Sequence, residues 1–211
     1  YFMRSEEILN GDNYHPRVLM QVFARDHVVV CGTDEVIALI RQCAFHPETI
    51  EIHSLRDGEE VDEWETVMTI EGDYADFAHL ETIYLGILAR QSRIATNVRR
   101  VVKAANGKPV LFFPARYDIY QTQESDGYAA LVGGIHGFST DANALAAGGK
   151  GLGTIPHALI ASYKGDTVAA TEAFDKYVDP SIARIALVDF DNDCVNTSLA
   201  VARKLGKKLA G

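Results

Sequence analysis

Four places in the chain set a polar side chain directly after an apolar run, where it could do chemistry. Val110–Phe113 is followed by Pro114-Ala115-Arg116. A guanidinium just past a strand end can hold a carboxylate or phosphate through two parallel hydrogen bonds. The plain alternative is a solvated arginine. Gly137-Phe138-Ser139-Thr140-Asp141 leads from a glycine-rich turn into a short helix that Ser139 is expected to cap. Backbone N–H groups converging there suit an anion, although an ordinary helix start would read the same way. Gly153-Thr154-Ile155-Pro156-His157 closes a brief predicted strand, with Pro156 fixing the turn. His157 is then placed to act as a base, an anion donor or a nucleophile, or merely to cap the next segment. Finally, Ile185–Val188 ends in Asp189, a carboxylate suited to ribose hydroxyls or Mg2+.

Two similar patterns fail on inspection. Gly148–Thr154, GGKGLGT, lacks the spacing of a phosphate-binding P-loop. Asp189 invites comparison with the ribosyl-diphosphate motif of type I phosphoribosyltransferases, but Phe190 stands where that motif needs a second acid. The histidines at 15, 27, 46, 53 and 79 form no HxH or HExxH pair, and no metal ligand set is expected.

The elements that must carry these residues can be read from periodicity. Val28–Val30 forms a β-branched run, and Thr33 is the expected cap of a helix whose apolar stripe runs through Val36, Ile37, Ile40 and Cys43. Ile50 and Ile52 alternate with polar neighbours, and Val67–Ile70 reads as another strand. Leu80, Ile83, Tyr84, Ile87 and Leu88 mark one face of a long helix predicted over about 77–105. Beyond Pro109, short apolar runs alternate with helical patterns, as in parallel βα units. Chemistry in such folds sits at strand C-terminal ends. The expected class is α/β, mixed α and β up to the long helix and then parallel βα units, open or closed into a barrel.

Composition narrows the field. The 211 residues carry 20 Lys and Arg against 29 Asp and Glu, a net charge of −9. That balance argues against nucleic-acid binding, which needs a basic face. No apolar run reaches the roughly 18 residues of a membrane span. Three unpaired-looking cysteines fit a reducing, cytoplasmic setting.

Taken in order, YFMRSEEIL, HLETIYLGILARQSRIAT, LFFPARYDIYQ, GFSTDANALA, GTIPHALI and IALVDFDND resemble nicotinate phosphoribosyltransferase over essentially the whole chain. The long helix is also similar to quinolinate phosphoribosyltransferase, which shares the type II fold. The architecture that the resemblance implies is an N-terminal sandwich domain over 1–105 with a bridging helix, then the first half of an irregular α/β barrel over 106–211. The resemblance implies transfer of a phosphoribosyl group from 5-phosphoribosyl-1-diphosphate to nicotinate, giving nicotinate mononucleotide and diphosphate. It implies ATP as co-substrate, Mg2+, and a homodimer or higher oligomer whose sites are shared between subunits. By the same resemblance Tyr1 stacks on the pyridine ring, Arg116 faces the substrate pocket, and Ser139 and Asp189 line it. Thr154 lies at the nicotinate and His157 is the residue phosphorylated by ATP. Family members continue with further barrel strands, so the resemblance implies that this chain lacks a C-terminal part and is poorly active alone. The alternatives are a quinolinate or nicotinamide phosphoribosyltransferase, or an inactive binding fragment.

Overall fold

A computed structural model describes residues 1–211. The fold is mixed α/β, as expected. In chain order the helices are α1 (Phe2–Gly11), α2 (Thr33–Cys43), α3 (Tyr74–Phe77), α4 (Glu81–Ala104), α5 (Gln123–Gly133), α6 (Asp141–Ala144), α7 (His157–Ser162), α8 (Thr167–Tyr177) and α9 (Cys194–Leu205). The strands are β1 (Arg17–Phe23), β2 (Val28–Val29), β3 (Glu51–Ser54), β4 (Glu60–Val61), β5 (Thr66–Asp73), β6 (Leu111–Phe112) and β7 (Gly137–Phe138). No helix is long and apolar enough to cross a membrane.

The chain divides into two compact units, Tyr1–Gly149 and Lys150–Gly211. The boundary expected near residue 105 falls later because α5 and α6 pack on α4. Asp126 on α5 takes a two-pronged hydrogen bond from Arg90 on α4, both contacts at 2.8 Å. Gly127 and Gly133 let the helices close up. A Cβ on Gly127 would stand 2.0 Å from the Asn143 carbonyl oxygen, and one on Gly133 would stand 2.7 Å from Val98 Cβ.

In the first unit, β5 lies between β1 and β3 in an antiparallel sheet. Met20 and Ile52 both pair with Ile70. Val18, Met20 and Val22 point toward the core, with Met68 and Ile70 from β5, while α2 contributes Val36 and Ile40 and α4 contributes Tyr84 and Leu88. Burying apolar side chains of this size stabilises each by about 1.5–3 kcal/mol. The β2 edge is finished by α4: Val29 N–H donates to Thr96 Oγ1 at 2.9 Å and Cys31 N–H to Ser92 Oγ at 3.0 Å. Two hydroxyls four residues apart on one helix face thus satisfy a strand that has only β4 beside it.

The start of α2 departs from expectation. Thr33 is the first helical residue rather than the cap, and Asp57 caps the helix from a distant loop. Its carboxylate accepts from Gly32 N–H (3.0 Å), Thr33 N–H (2.9 Å), the Thr33 hydroxyl (2.8 Å) and the Tyr128 hydroxyl (2.8 Å). Negative charge at a helix start is favourable, and here it also ties α2 to α5.

In the second unit α7 and α8 pack around Ile155, Ile160, Ala170 and Phe174, and α9 lies against α8. The strands expected at 153–155 and 185–188 do not form. Both segments are partly buried, but a strand exists only when a neighbour completes its ladder. Here the two meet through a side chain, with Thr154 Oγ1 donating to the Ile185 carbonyl at 2.8 Å. Pro156 also removes one backbone donor at the segment's end. Arg184, 5% exposed, fills the space beside them and donates to the carbonyls of Val178 and Ile182.

Candidate functional site

Two groups of candidate residues are assembled locally, one in each unit. In the first unit, β6 and β7 pair in parallel, Leu111 against Gly137 and Phe112 against Phe138. Ser139 N–H donates to the Phe112 carbonyl at 3.0 Å and extends the pairing by one step. Arg116 and Ser139 therefore both lie just past the C-terminal ends of adjacent parallel strands, the position where α/β folds bind ligands. Arg116 is exposed on a tight turn closed by the Tyr117 and Asp118 N–H groups onto the Pro114 carbonyl.

Ser139 is not the helix cap. Thr140 takes that role, accepting from Asn143 N–H at 3.1 Å. The Ser139 hydroxyl is left buried with no hydrogen-bond partner. A buried hydroxyl without a partner is costly, and such groups mark strain or a ligand contact.

In the second unit, the GTIPH and ALVDFD segments come together. Pro156 is the residue before α7, and His157 opens it. His157 Nε2 lies 3.1 Å from Asp189 Oδ1, with the Phe190 ring centroid 6.3 Å from the imidazole. Both members of the pair are about half exposed. A carboxylate beside one ring nitrogen favours the tautomer that carries the proton there and leaves the lone pair on the other. The pair can therefore present Nδ1 as a nucleophile or base. Thr154, through its bond to residue 185, pins the same two segments.

Tyr1 is not gathered with any of these. It precedes α1, 85% exposed, and its ring packs only on Phe2 at 4.3 Å. No three His, Cys, Asp or Glu side chains converge on a common metal position.

Comparisons bear on this geometry. Residues 4–92 match the sequence profile of the quinolinate phosphoribosyl transferase N-terminal domain. A nicotinate-nucleotide pyrophosphorylase from Pyrococcus furiosus superposes with a TM-score of 0.91 and 36% identity, over 99% of this chain and 54% of that one. Together these matches support a phosphoribosyltransferase family. The chain spans about half the length of the Pyrococcus protein. Human nicotinic acid phosphoribosyltransferase shares the fold at a TM-score of 0.71 and 14% identity, over 98% of this chain and 57% of that one. A nicotinate-nucleotide pyrophosphorylase from Ehrlichia chaffeensis shares it at 0.62 and 18%, over 99% and 81%.

The sequence reading missed the orphaned Ser139 hydroxyl and the Asp57 cap. Ser139 and Thr140 are equivalent as caps on paper, and only the first turn of α6 decides between them. Asp57 is 24 residues from the helix start it caps, so no local pattern reveals it.

Proposed function

We propose that the chain is part of an enzyme that forms nicotinate mononucleotide and diphosphate from a pyridine carboxylate and 5-phosphoribosyl-1-diphosphate. The observation that carries this reading is the 36% identity, over 99% of the chain, to a protein named for nicotinate nucleotide and pyrophosphate. The local chemistry is in keeping with it. Displacing diphosphate from ribose C1 develops positive charge on the sugar, so the enzyme must hold the ring nitrogen in line and neutralise the leaving group. In this reading Arg116 takes a carboxylate or phosphate by two parallel hydrogen bonds, and the Ser139 hydroxyl supplies the adjacent polar contact. Mg2+, when bound to the ribosyl diphosphate, would offset the charge of the departing diphosphate.

The acceptor is either quinolinate or nicotinate. The match of residues 4–92 to the quinolinate family supports the dicarboxylate. On that route release of CO2 drives the reaction, and no phosphohistidine is needed. A specific observation favours nicotinate, namely the His157–Asp189 pair at 3.1 Å. In the nicotinate reading His157 Nδ1 attacks the γ-phosphorus of ATP, the bond to ADP breaks, and the phosphohistidine is later hydrolysed. Thr154 positions the segment, and Asp189 stabilises the imidazole cation that forms. Tyr1 stacks on the pyridine ring in a site shared with a second subunit.

Turnover of each acid by the whole protein, with and without ATP, tests the proposal. The nicotinate reading predicts ATP stimulation that disappears in His157→Ala. Unchanged stimulation in that variant rules out the phosphohistidine, and turnover of quinolinate alone, indifferent to ATP, selects the other acid.

A further inference from the structure

The first unit carries a groove that the proposed reaction leaves unused. Its volume is about 760 Å3, and it lies between the β1–β2 turn and α4. That is the size of a small-molecule site. None of Tyr1, Arg116, Ser139, Thr154, His157 or Asp189 lines it.

The groove is apolar along the first half of α4, at Leu85, Leu88 and Ala89, and cationic along the second half. Arg93 and Arg100 stand seven residues apart with Asn97 between them, about 10 Å along the helix at 1.5 Å per residue. Arg25 comes from the β1–β2 turn. No carboxylate pairs with Arg25, Arg93 or Arg100. Elsewhere Arg17, Arg90, Arg99 and Arg184 pair with carboxylates, while Arg4, Arg41, Arg56, Arg116 and Arg203 do not, so it is the shared position of three such groups in one groove that sets these apart. Nine more acids than bases are present in the chain.

Of the other charged residues in the groove, Asp26 is a single acid, and His27 already faces Asp62 at 2.9 Å and Glu60 at 3.4 Å. Three exposed guanidinium groups lining one concavity make it a cationic surface that an anion would neutralise. The Ser92 and Thr96 hydroxyls in the same wall are committed to β2, so the free donors are the arginines and Asn97.

We propose that this groove binds a nucleoside phosphate, with the phosphates on Arg25, Arg93 and Asn97 and the ring against Leu85 and Leu88. Leu88 and Arg93 are five residues apart, about 7.5 Å along the helix, which matches the distance from a base to its phosphates. An apolar wall running into a row of donors suits a ligand with one apolar end and one anionic end, and suits a bare phosphate less well.

Photolabelling with 8-azido-ADP and peptide mapping reads the location directly, and calorimetry with ADP, adenosine and inorganic diphosphate reads the chemistry. The expected result is label within residues 85–100, with ADP binding weakened at least tenfold in Arg93→Gln and Arg25→Gln. Both side chains lie on the groove surface, so circular dichroism should show the fold retained. Arg116→Gln should leave the groove label unchanged. Label confined to other peptides overturns the proposal, whatever becomes of the phosphoribosyl transfer reading. So does adenosine binding as tightly as ADP, diphosphate binding as tightly as ADP, or ADP binding indifferent to both arginines. A groove covered by a second copy of the chain would bind no ADP and would dissociate in Arg93→Gln, which also overturns it.

Discussion

Ser139 separates a structural role from a ligand role in a single side chain. Its hydroxyl is buried without a partner, so removing it leaves no new unsatisfied group. Ser139→Ala should leave thermal stability unchanged, or raise it by up to about 1 kcal/mol, while substrate affinity falls. Calorimetry beside steady-state kinetics checks both. A stability loss of more than about 1 kcal/mol would show that the hydroxyl is structural. Asp57 is the opposite case, since four donors depend on its carboxylate. Asp57→Ala should cost about 2 kcal/mol in denaturant unfolding. The second unit has a further dependence, on acid. The Lys208 ammonium holds the Asp175 carboxyl below its ordinary value, the Ser181 N–H does so for Asp179, and Asn196 does so for Asp193. A carboxyl lowered in the folded state contributes stability that is present above the unfolded value, near 3.8, and is lost as pH falls through the folded one. Circular dichroism on acid titration should show the second unit weakening below about pH 4, and Asp193→Asn should make that loss shallower.

At the level of elements, the contact between α4 and α5 carries the most specific prediction. Asp126 is 1% exposed and depends on Arg90, and Gly127 has no room for a Cβ. Arg90→Ala leaves a buried carboxylate with no cation and only the Thr122 hydroxyl as donor, and should cost about 3 kcal/mol. Gly127→Ala forces the α5–α6 contact apart and should cost a similar amount, about 3 kcal/mol. Midpoints of urea unfolding measure both. The long helix was legible from its stripe: Leu80, Tyr84 and Leu88 are all buried. Strand β1 was not, because Leu19 and Phe23 are apolar on its exposed side and blur the alternation of Val18, Met20 and Val22. Helix α1 buries no residue fully, so it has no core stripe to read. The apolar runs at 153–155 and 185–188 read as strands because they are partly buried and carry β-branched residues. The first has no ladder partner and the second has only a short bridge, Arg184 to Leu209 with Ala186 N–H donating to the Gly211 carbonyl, and local sequence does not encode either. Local geometry was legible where a motif is contiguous, as in the turn that sets Pro156 before α7 and His157 at its start. It was illegible where distant residues meet, as in Asp57 with Tyr128.

For the molecule as a whole, the proposal joins phosphoribosyl chemistry to a site shared between subunits. If Tyr1 of one subunit serves the other subunit's site, then Tyr1→Ala and Arg116→Ala proteins, each nearly inactive alone, should regain activity when mixed and allowed to exchange subunits. Failure to complement would place Tyr1 in its own subunit's site or outside the chemistry. The most direct test supplies the whole protein with 5-phosphoribosyl-1-diphosphate, Mg2+ and either nicotinate or quinolinate, with and without ATP, and separates the products by chromatography. Nicotinate mononucleotide should form from one of the two acids and fall at least a hundredfold in Arg116→Ala. Absence of the mononucleotide from both acids, with the protein folded and complete, would contradict the assignment.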